Sequence, residues 1–241
     1  MTILALDGLV KRFGGLTATN QFSADVAEGE SLGLIGPNGA GKTTIFSLIM
    51  GEHHLNEGAI RLKGEAIQDL PTHARIQRGV ARTYQVPRPF AEMTVAENIR
   101  VGLTPDSIMA MIFGSSNAAE ELVLAEAVGF EAADLDRLPS ELSMGDLRKL
   151  ELARTLATGA KVVLLDEVFA GLTVGEIAQI SELINEKRRS GMTFVIVSHD
   201  LRSLEPLIDR AVAMTAGSVI AEGAYADVIA DQQVRDSYLG A

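Results

Sequence analysis

Residues 36–43 read Gly36-Pro37-Asn38-Gly39-Ala40-Gly41-Lys42-Thr43 and match G-x-x-x-x-G-K-[ST] at every fixed position. The chemistry such a segment performs is the holding of a polyphosphate. Glycines reach backbone angles closed to side chains, so successive N–H groups can turn inward toward phosphate oxygens. Lys42 supplies a point charge for the β- and γ-phosphates, and the Thr43 hydroxyl suits Mg²⁺. Thr44 extends the N-terminus of a helix, whose dipole favours an anion. ATP and Mg²⁺ are therefore the ligands in view. A glycine-rich turn that merely caps a helix would share this composition, but a strand before the loop and a helix after it are what phosphate binding requires.

Two further segments end in reactive groups. Val162-Val163-Leu164-Leu165-Asp166-Glu167 is an apolar run closed by two carboxylates. In an α/β sheet, ligands gather at the carboxyl ends of strands. Asp166 there can hold Mg²⁺, directly or through water, and Glu167 can polarise an attacking water as general base. Thr193-Phe194-Val195-Ile196-Val197-Ser198-His199 is a second strand with a polar end. His199 is placed to contact a γ-phosphate and orient water near Glu167, although an isolated histidine after a strand is more often a surface residue. His53, His54 and His73 lie in polar or turn-like stretches and receive no function. Ser143-Met144-Gly145-Asp146 opens an amphipathic run with Leu147, Leu150, Ala153 and Leu156 on one face. It reads as a capping box with Ser143 as N-cap, and equally as an anion site at a helix N-terminus.

The elements that must position these groups follow from periodicity. Glu30 to Ile35 predicts a strand into the glycine loop, Thr43 to Met50 a helix, and Gly51 its C-terminal stop. Ala59 to Ile67 predicts a hairpin around Lys63-Gly64, and Arg210 to Glu222 another around Ala216-Gly217. From about Glu92 to Gly159 the pattern turns helical, including Ile108 to Phe113 and Ala118 to Val128, and predicts an inserted helical subdomain. A strand over Lys161 to Leu165, a helix over Val174 to Arg189 and a strand over Thr193 to Val197 predict a parallel sheet covered on both faces. One helix over Ala226 to Leu239 closes the chain.

Composition narrows the function classes. The 241 residues are 47% hydrophobic and 22% charged, with a formal net charge of −11. A broad basic surface for nucleic acid and a polybasic membrane anchor both conflict with that charge. An acidic chain that binds ATP must do so through backbone N–H groups and one or two local cations. With no cysteine, disulfides and thiolate chemistry are excluded. Neither a secretory leader nor a run of about 20 apolar residues is legible, so a membrane role would run through a partner.

In this order the motifs resemble the ATPase subunits of ABC transporters over nearly the whole chain. Gly36 to Thr44 resembles the Walker A motif. Gln85, after Arg82-Thr83-Tyr84, resembles the Q-loop glutamine. Leu142-Ser143-Met144-Gly145-Asp146 resembles the signature, usually Leu-Ser-Gly-Gly-Gln. Asp166 and Glu167 resemble Walker B and its catalytic glutamate, His199 the switch histidine, and Phe13 the aromatic stacked on adenine. The resemblance implies an α/β P-loop fold with a RecA-like core (about 1–90 and 158–241), an N-terminal antiparallel β subdomain and a helical subdomain (about 91–157). It implies catalysis by Glu167, His199 and Gln85, a metal held by Thr43, Gln85 and Asp166, and nucleotide held by Phe13, the glycine loop, Ser143 and Gly145. Three departures stand out: Met144 and Asp146 within the signature, Val168 for a common proline, and Thr173 at the D-loop position.

Within the family the chain looks most like ATPases of branched-chain amino acid uptake, through Phe13-Gly14-Gly15-Leu16, Arg82-Thr83-Tyr84-Gln85, Arg148 to Arg154, Ala170-Gly171-Leu172 and Tyr238-Leu239-Gly240. Importers of urea, amides or other small solutes share much of this, and a soluble non-transport ABC ATPase is the reading from another class. The resemblance further implies a head-to-tail dimer, of identical or different ATPases, with ATP between one subunit's Walker A loop and the other's signature. It places the chain at the cytoplasmic face of the inner membrane, bound to permease subunits through Gln85 and Val86 to Glu97, and serving an external solute-binding protein indirectly.

Overall fold

The structure, a computed structural model, describes residues 1–104 and 118–239. Two sheets organise them. Strands β1 (Thr2–Phe13), β2 (Leu16–Ala27), β4 (Glu57–Leu62) and β5 (Glu65–Ala66) form an antiparallel sheet in the order β2-β1-β4-β5. Strands β3 (Ser31–Ile35), β6 (Val80–Arg82), β7 (Val162–Asp166), β8 (Thr193–Val197), β9 (Arg210–Thr215) and β10 (Ser218–Gly223) form the second, in the order β10-β9-β3-β8-β7-β6. All its neighbours run parallel except β10, which returns antiparallel on β9. The parallel sheet expected from the sequence is therefore mixed at one edge, because a hairpin rather than a crossover joins the last two strands.

Both faces of this sheet are buried, and that explains the unbroken apolar strands. Val163, Leu165, Phe194 and Ile196 join one core. Their alternate neighbours Val162, Leu164, Val195 and Val197 join a second core, which reaches the antiparallel sheet through Leu4, Leu9, Phe22 and Ile60. Strand β1 has no clean alternation because its pairing with β2 shifts register four times, between Thr2/Leu4, Leu6/Leu9, Leu9/Lys11 and Lys11/Arg12. Each shift turns the following residues to the other face, so adjacent pairs such as Leu9-Val10 are both buried.

Helix α1 (Lys42–Met50) follows the glycine loop and stops at Gly51, whose φ of 76° gives the left-handed cap. Helix α2 (Thr72–Gln77) precedes β6. Helices α3 (Val95–Leu103), α4 (Ala118–Ala127) and α5 (Met144–Ala157), with short 3₁₀ turns at Ala132–Asp134 and Pro139–Glu141, lie between β6 and β7. The predicted stretch Ile108 to Phe113 falls outside the described residues. Both hairpin turns carry two residues of positive φ, Lys63-Gly64 at 50° and 82° and Ala216-Gly217 at 45° and 82°, as two-residue loops between twisted strands demand.

Helix α6 (Val174–Arg189) starts at Thr173, whose side chain accepts from the Glu176 N–H while Glu176 reaches back. Thr173 thus caps α6, a role that the more usual Asp or Asn fills equally well. A short helix, α7 (Leu201–Leu204), follows β8. The single closing helix expected over Ala226 to Leu239 is instead two, α8 (Tyr225–Ala230) and α9 (Gln232–Leu239). Asp231 separates them with extended backbone (φ −63°, ψ 134°). Its carboxylate accepts from the N–H groups of Gln233 and Val234, a cap that outcompetes helix continuation.

Arg75 is a buried residue that the sequence pattern did not mark. Its guanidinium donates to the carbonyls of Leu48 (2.6 Å), Ile49 (2.8 Å), Gln68 (2.7 Å) and Leu70 (2.8 Å). Two of these acceptors are carbonyls in the last turn of α1, where Leu48 also accepts from the Gly51 N–H. Replacing Arg75 by Met keeps the bulk but strands these acceptors, and it should lower unfolding free energy by about 3 kcal/mol or more in urea titration.

Candidate functional site

The strand order sets the site. The carboxyl ends of β3, β8, β7 and β6 lie side by side, so the glycine loop, Ser198-His199, Asp166-Glu167 and Thr83 to Gln85 all emerge on one edge of the sheet. The register is tight: Asp166 pairs with Val197, and Arg82 with Leu164. A cleft of about 690 Å³ opens there, lined by Phe13, Asn38 to Thr44, Gln85, Asp166 and Glu167 among others. That volume lies within the range of small-molecule sites.

Glycine is required in the loop at two points of close approach. A Cβ on Gly36 would lie 2.2 Å from the Met214 carbonyl oxygen, and one on Gly41 would lie 2.4 Å from that of Ala18 at a φ of +105°. Gly41 is also the N-cap of α1 and offers no side chain to its N–H groups, which stay available to an anion. Lys42 is buried and donates to the carbonyls of Gly36 (2.6 Å) and Pro37 (3.0 Å). Burial pulls its ammonium below the ordinary lysine range, against the attraction of Glu167 and Asp166. Phe13 stands half-exposed at the other end of the cleft. The His53 ring packs against it at 5.0 Å, nearly perpendicular, and Lys11 Nζ lies 4.8 Å from its centroid. His53 thus supports the aromatic wall, a contact invisible in a sequence that separates the two residues by forty positions.

At the end of β7 the two carboxylates have different surroundings. Asp166 is buried, and burial raises its pKa while Arg82 opposes the shift. Arg82 Nη2 bonds Asp166 Oδ2 at 2.9 Å, and the Asp166 N–H donates to Thr83 Oγ1 at 2.9 Å. Glu167 takes a φ of 55°, an unusual conformation for a residue with a side chain. Three hydrogen bonds to its backbone hold it: its N–H donates to the Val197 carbonyl (2.9 Å), and its own carbonyl accepts from the Arg148 side chain (3.0 Å) and the Ala170 N–H (3.2 Å). The turn points its carboxylate at His199, with Oε2 2.5 Å from Nδ1 and 3.3 Å from the backbone N–H. The structure thus brings Glu167 and His199, both marked in the sequence, into direct contact.

The donors suit a divalent cation shared with phosphate rather than a protein cage. No cluster of three acidic or histidine side chains stands among the described residues, whereas Thr43, Gln85 and Asp166 face the same cleft as the glycine loop. Mg²⁺ binds in this way, through one or two carboxylates and substrate phosphates.

Ser143 and Gly145 do not line this cleft. Ser143 caps α5 by accepting from the Asp146 N–H, and Asp146 Oδ2 bonds Ser143 Oγ at 2.7 Å, as the capping-box reading predicts. Asp146 also pairs with the buried Lys149 at 2.6 Å. Met144 is exposed and Val168 buried in the core.

Helix α5 grips the Gln85 loop from the opposite side. Arg154 donates to the Arg88 carbonyl at 2.9 Å and lies over the Phe90 ring. Glu151 is buried on the same helix, and Oε1 has no hydrogen-bond partner. Its pKa rises to about 7, driven by burial and opposed by the backbone N–H groups of Tyr84 and Arg88 and by Arg154 and Arg148. A carboxyl whose folded pKa is raised leaves the folded state holding more protons, so stability falls as pH rises from the unfolded value through the folded one. Relative to Glu151→Gln, the wild type should lose about 3 kcal/mol between pH 4.5 and pH 8, read from urea midpoints across that window.

Sheet order, glycine loop and paired carboxylates define a nucleotide-binding ATPase cassette. The family model described as ABC transporter matches residues 19–170, and one described as branched-chain amino acid ATP-binding cassette transporter matches residues 218–241. The chain belongs to the ABC transporter ATP-binding family, and it is an ATP-hydrolysing, energy-coupling subunit. It is 35% identical to LivG of Salmonella typhimurium, a high-affinity branched-chain amino acid transport ATP-binding protein, over 99% of this chain and 98% of that one. It is 36% identical to LptB of Haemophilus influenzae, a lipopolysaccharide export system ATP-binding protein, over 100% and 98%. The fold matches a nucleotide-free ABC cassette (TM-score 0.87, 30% identity) and the ADP conformation of the cassette MJ1267 (TM-score 0.86, 31% identity), each over 100% of both chains.

Proposed function

We propose that the chain powers an ABC importer for branched-chain or other hydrophobic amino acids, from the cytoplasmic face of the membrane. Hydrolysis is supported above all by the Glu167–His199 pair beside the glycine loop. Glu167 takes the proton of the attacking water, and His199 fixes the carboxylate that receives it. Lys42 and the free N–H groups at the start of α1 hold the phosphates, and Phe13 stacks on the base. Thr43 and Asp166, with Gln85 nearby, would hold Mg²⁺, which would neutralise charge on the phosphates. Because Ser143 and Gly145 lie outside the cleft, they are assigned to the ATP of a second ATPase subunit in a head-to-tail dimer. Glu167→Gln should retain nucleotide binding while slowing hydrolysis by about 100-fold or more. Hydrolysis at the wild-type rate would remove Glu167 as the base.

The reading of the solute is supported by the match at residues 218–241 and by relatives such as LivG and BraF. No helix among the described residues is long and apolar enough to cross a membrane, so permease subunits are assigned that task. The exposed Val86 and Phe90 beside Gln85 are the assigned contact. Export is a second reading, because LptB is equally similar. Purification of the tagged chain from native membranes should recover two polytopic permeases and a second ATPase. Membrane vesicles carrying that complex should take up leucine only with ATP and a solute-binding protein. Recovery of an export assembly instead would transfer the chain to the second reading.

A further inference from the structure

We infer that Arg82 is the positioning residue of the metal-side carboxylate, holding Asp166 by one oxygen so that the other is presented to the cation. The inference rests on the reading of Asp166 as the metal-side carboxylate. Its basis is a network that closes on itself. Arg82 Nη2 bonds Asp166 Oδ2 at 2.9 Å, while Nη1 bonds Glu52 Oε2 at 3.0 Å and Ser47 Oγ at 3.1 Å. The Arg82 and Asp166 side chains are 3% and 1% exposed, so little water competes for these bonds. Tyr84 covers the guanidinium at 5.0 Å and donates from its hydroxyl to Glu52 Oε1 at 2.9 Å. From below, the Phe46 ring of α1 lies 5.5 Å from the guanidinium carbon.

Three successive residues before Gln85 thus act on one aspartate. Arg82 holds its carboxylate, Thr83 accepts from its N–H, and Tyr84 fixes Arg82 through Glu52. A guanidinium can do this because its planar fork reaches two carboxylates at once, whereas an ammonium is a single point charge. A carboxylate fixed by one oxygen in a buried site keeps the other in a set direction, as groups that orient metal ligands do elsewhere. Arg82 therefore serves as more than a counter-charge. It also fastens the metal-side aspartate to the segment that leads into the Gln85 loop.

Mn²⁺ binding to the purified chain with a non-hydrolysable ATP analogue, read by electron paramagnetic resonance, tests this. Nucleotide binding in EDTA serves as the companion measurement. Arg82→Gln should weaken Mn²⁺ binding about tenfold or more, and Arg82→Lys, which keeps the charge but not the fork, by about threefold. Tyr84→Phe, which releases Glu52 alone, should shift it in the same direction by about twofold. Metal-free nucleotide affinity should stay within about twofold of wild type in Arg82→Lys, since the glycine loop is untouched. Wild-type Mn²⁺ affinity in Arg82→Lys, or an equal loss of metal-free nucleotide binding, would overturn the role. Asp166→Asn run alongside separates the two ideas: unchanged Mn²⁺ affinity there sinks the metal-side reading of Asp166 itself.

Discussion

Strands β3, β8, β7 and β6 are adjacent and parallel, and the site depends on that alignment. A parallel pair sends both carboxyl ends the same way, and four in succession bring segments near positions 36, 85, 166 and 199 to one edge. The packing on both faces protects the register. A one-residue slip of β7 would exchange Val163 and Leu165 with Val162 and Leu164 between two separate cores. It would also carry Asp166 and Glu167 away from Arg82 and His199. The apolar strands therefore stabilise the fold and fix the distances of the polar groups at their ends.

The electrostatics of the edge follow from a chain with a net charge of −11 that holds an anion. Attraction over the whole surface is the wrong sign, so local groups must supply it: the uncapped N-terminus of α1 and the buried Lys42. The carboxylates in the same region are separated by role and by partner. Arg82 pairs with both Asp166 and Glu52, whereas Glu167 faces His199 alone among the side chains bonded to it. The buried carboxylate thus has a cationic partner, and the one bonded to His199 lies at the cleft.

Helix α5 links this edge to the helical part of the chain. Arg148 bonds the backbone of Glu167, and Arg154 bonds the backbone of the Gln85 loop, from one helix whose N-terminus carries Ser143. Glu151, close to neutral pH in its titration and lacking a partner at one oxygen, sits between them. One helix therefore contacts the backbone of Glu167 and the backbone of the Gln85 loop together.

The sequence by itself determined everything carried by contiguous chemistry: the glycine loop, the paired carboxylates after an apolar strand, the histidine after another, the capping box at Ser143 and the two-residue hairpin turns. Each is a local rule, in which backbone freedom, periodicity or a cap acts within a few positions. Its periodicity did not disclose β1, because bulges break the alternation, nor the division of the last helix at Asp231, because the cap competes with an otherwise helical pattern. Only the tertiary structure decided that Arg82 meets Asp166 across 84 positions, that Arg75 closes the end of α1, and that His53 backs Phe13. It likewise set Ser143 and Gly145 outside the cleft of their own chain. These outcomes depend on strand order and register, and on which long side chains find a partner once water is excluded. Spacing along the chain does not encode them.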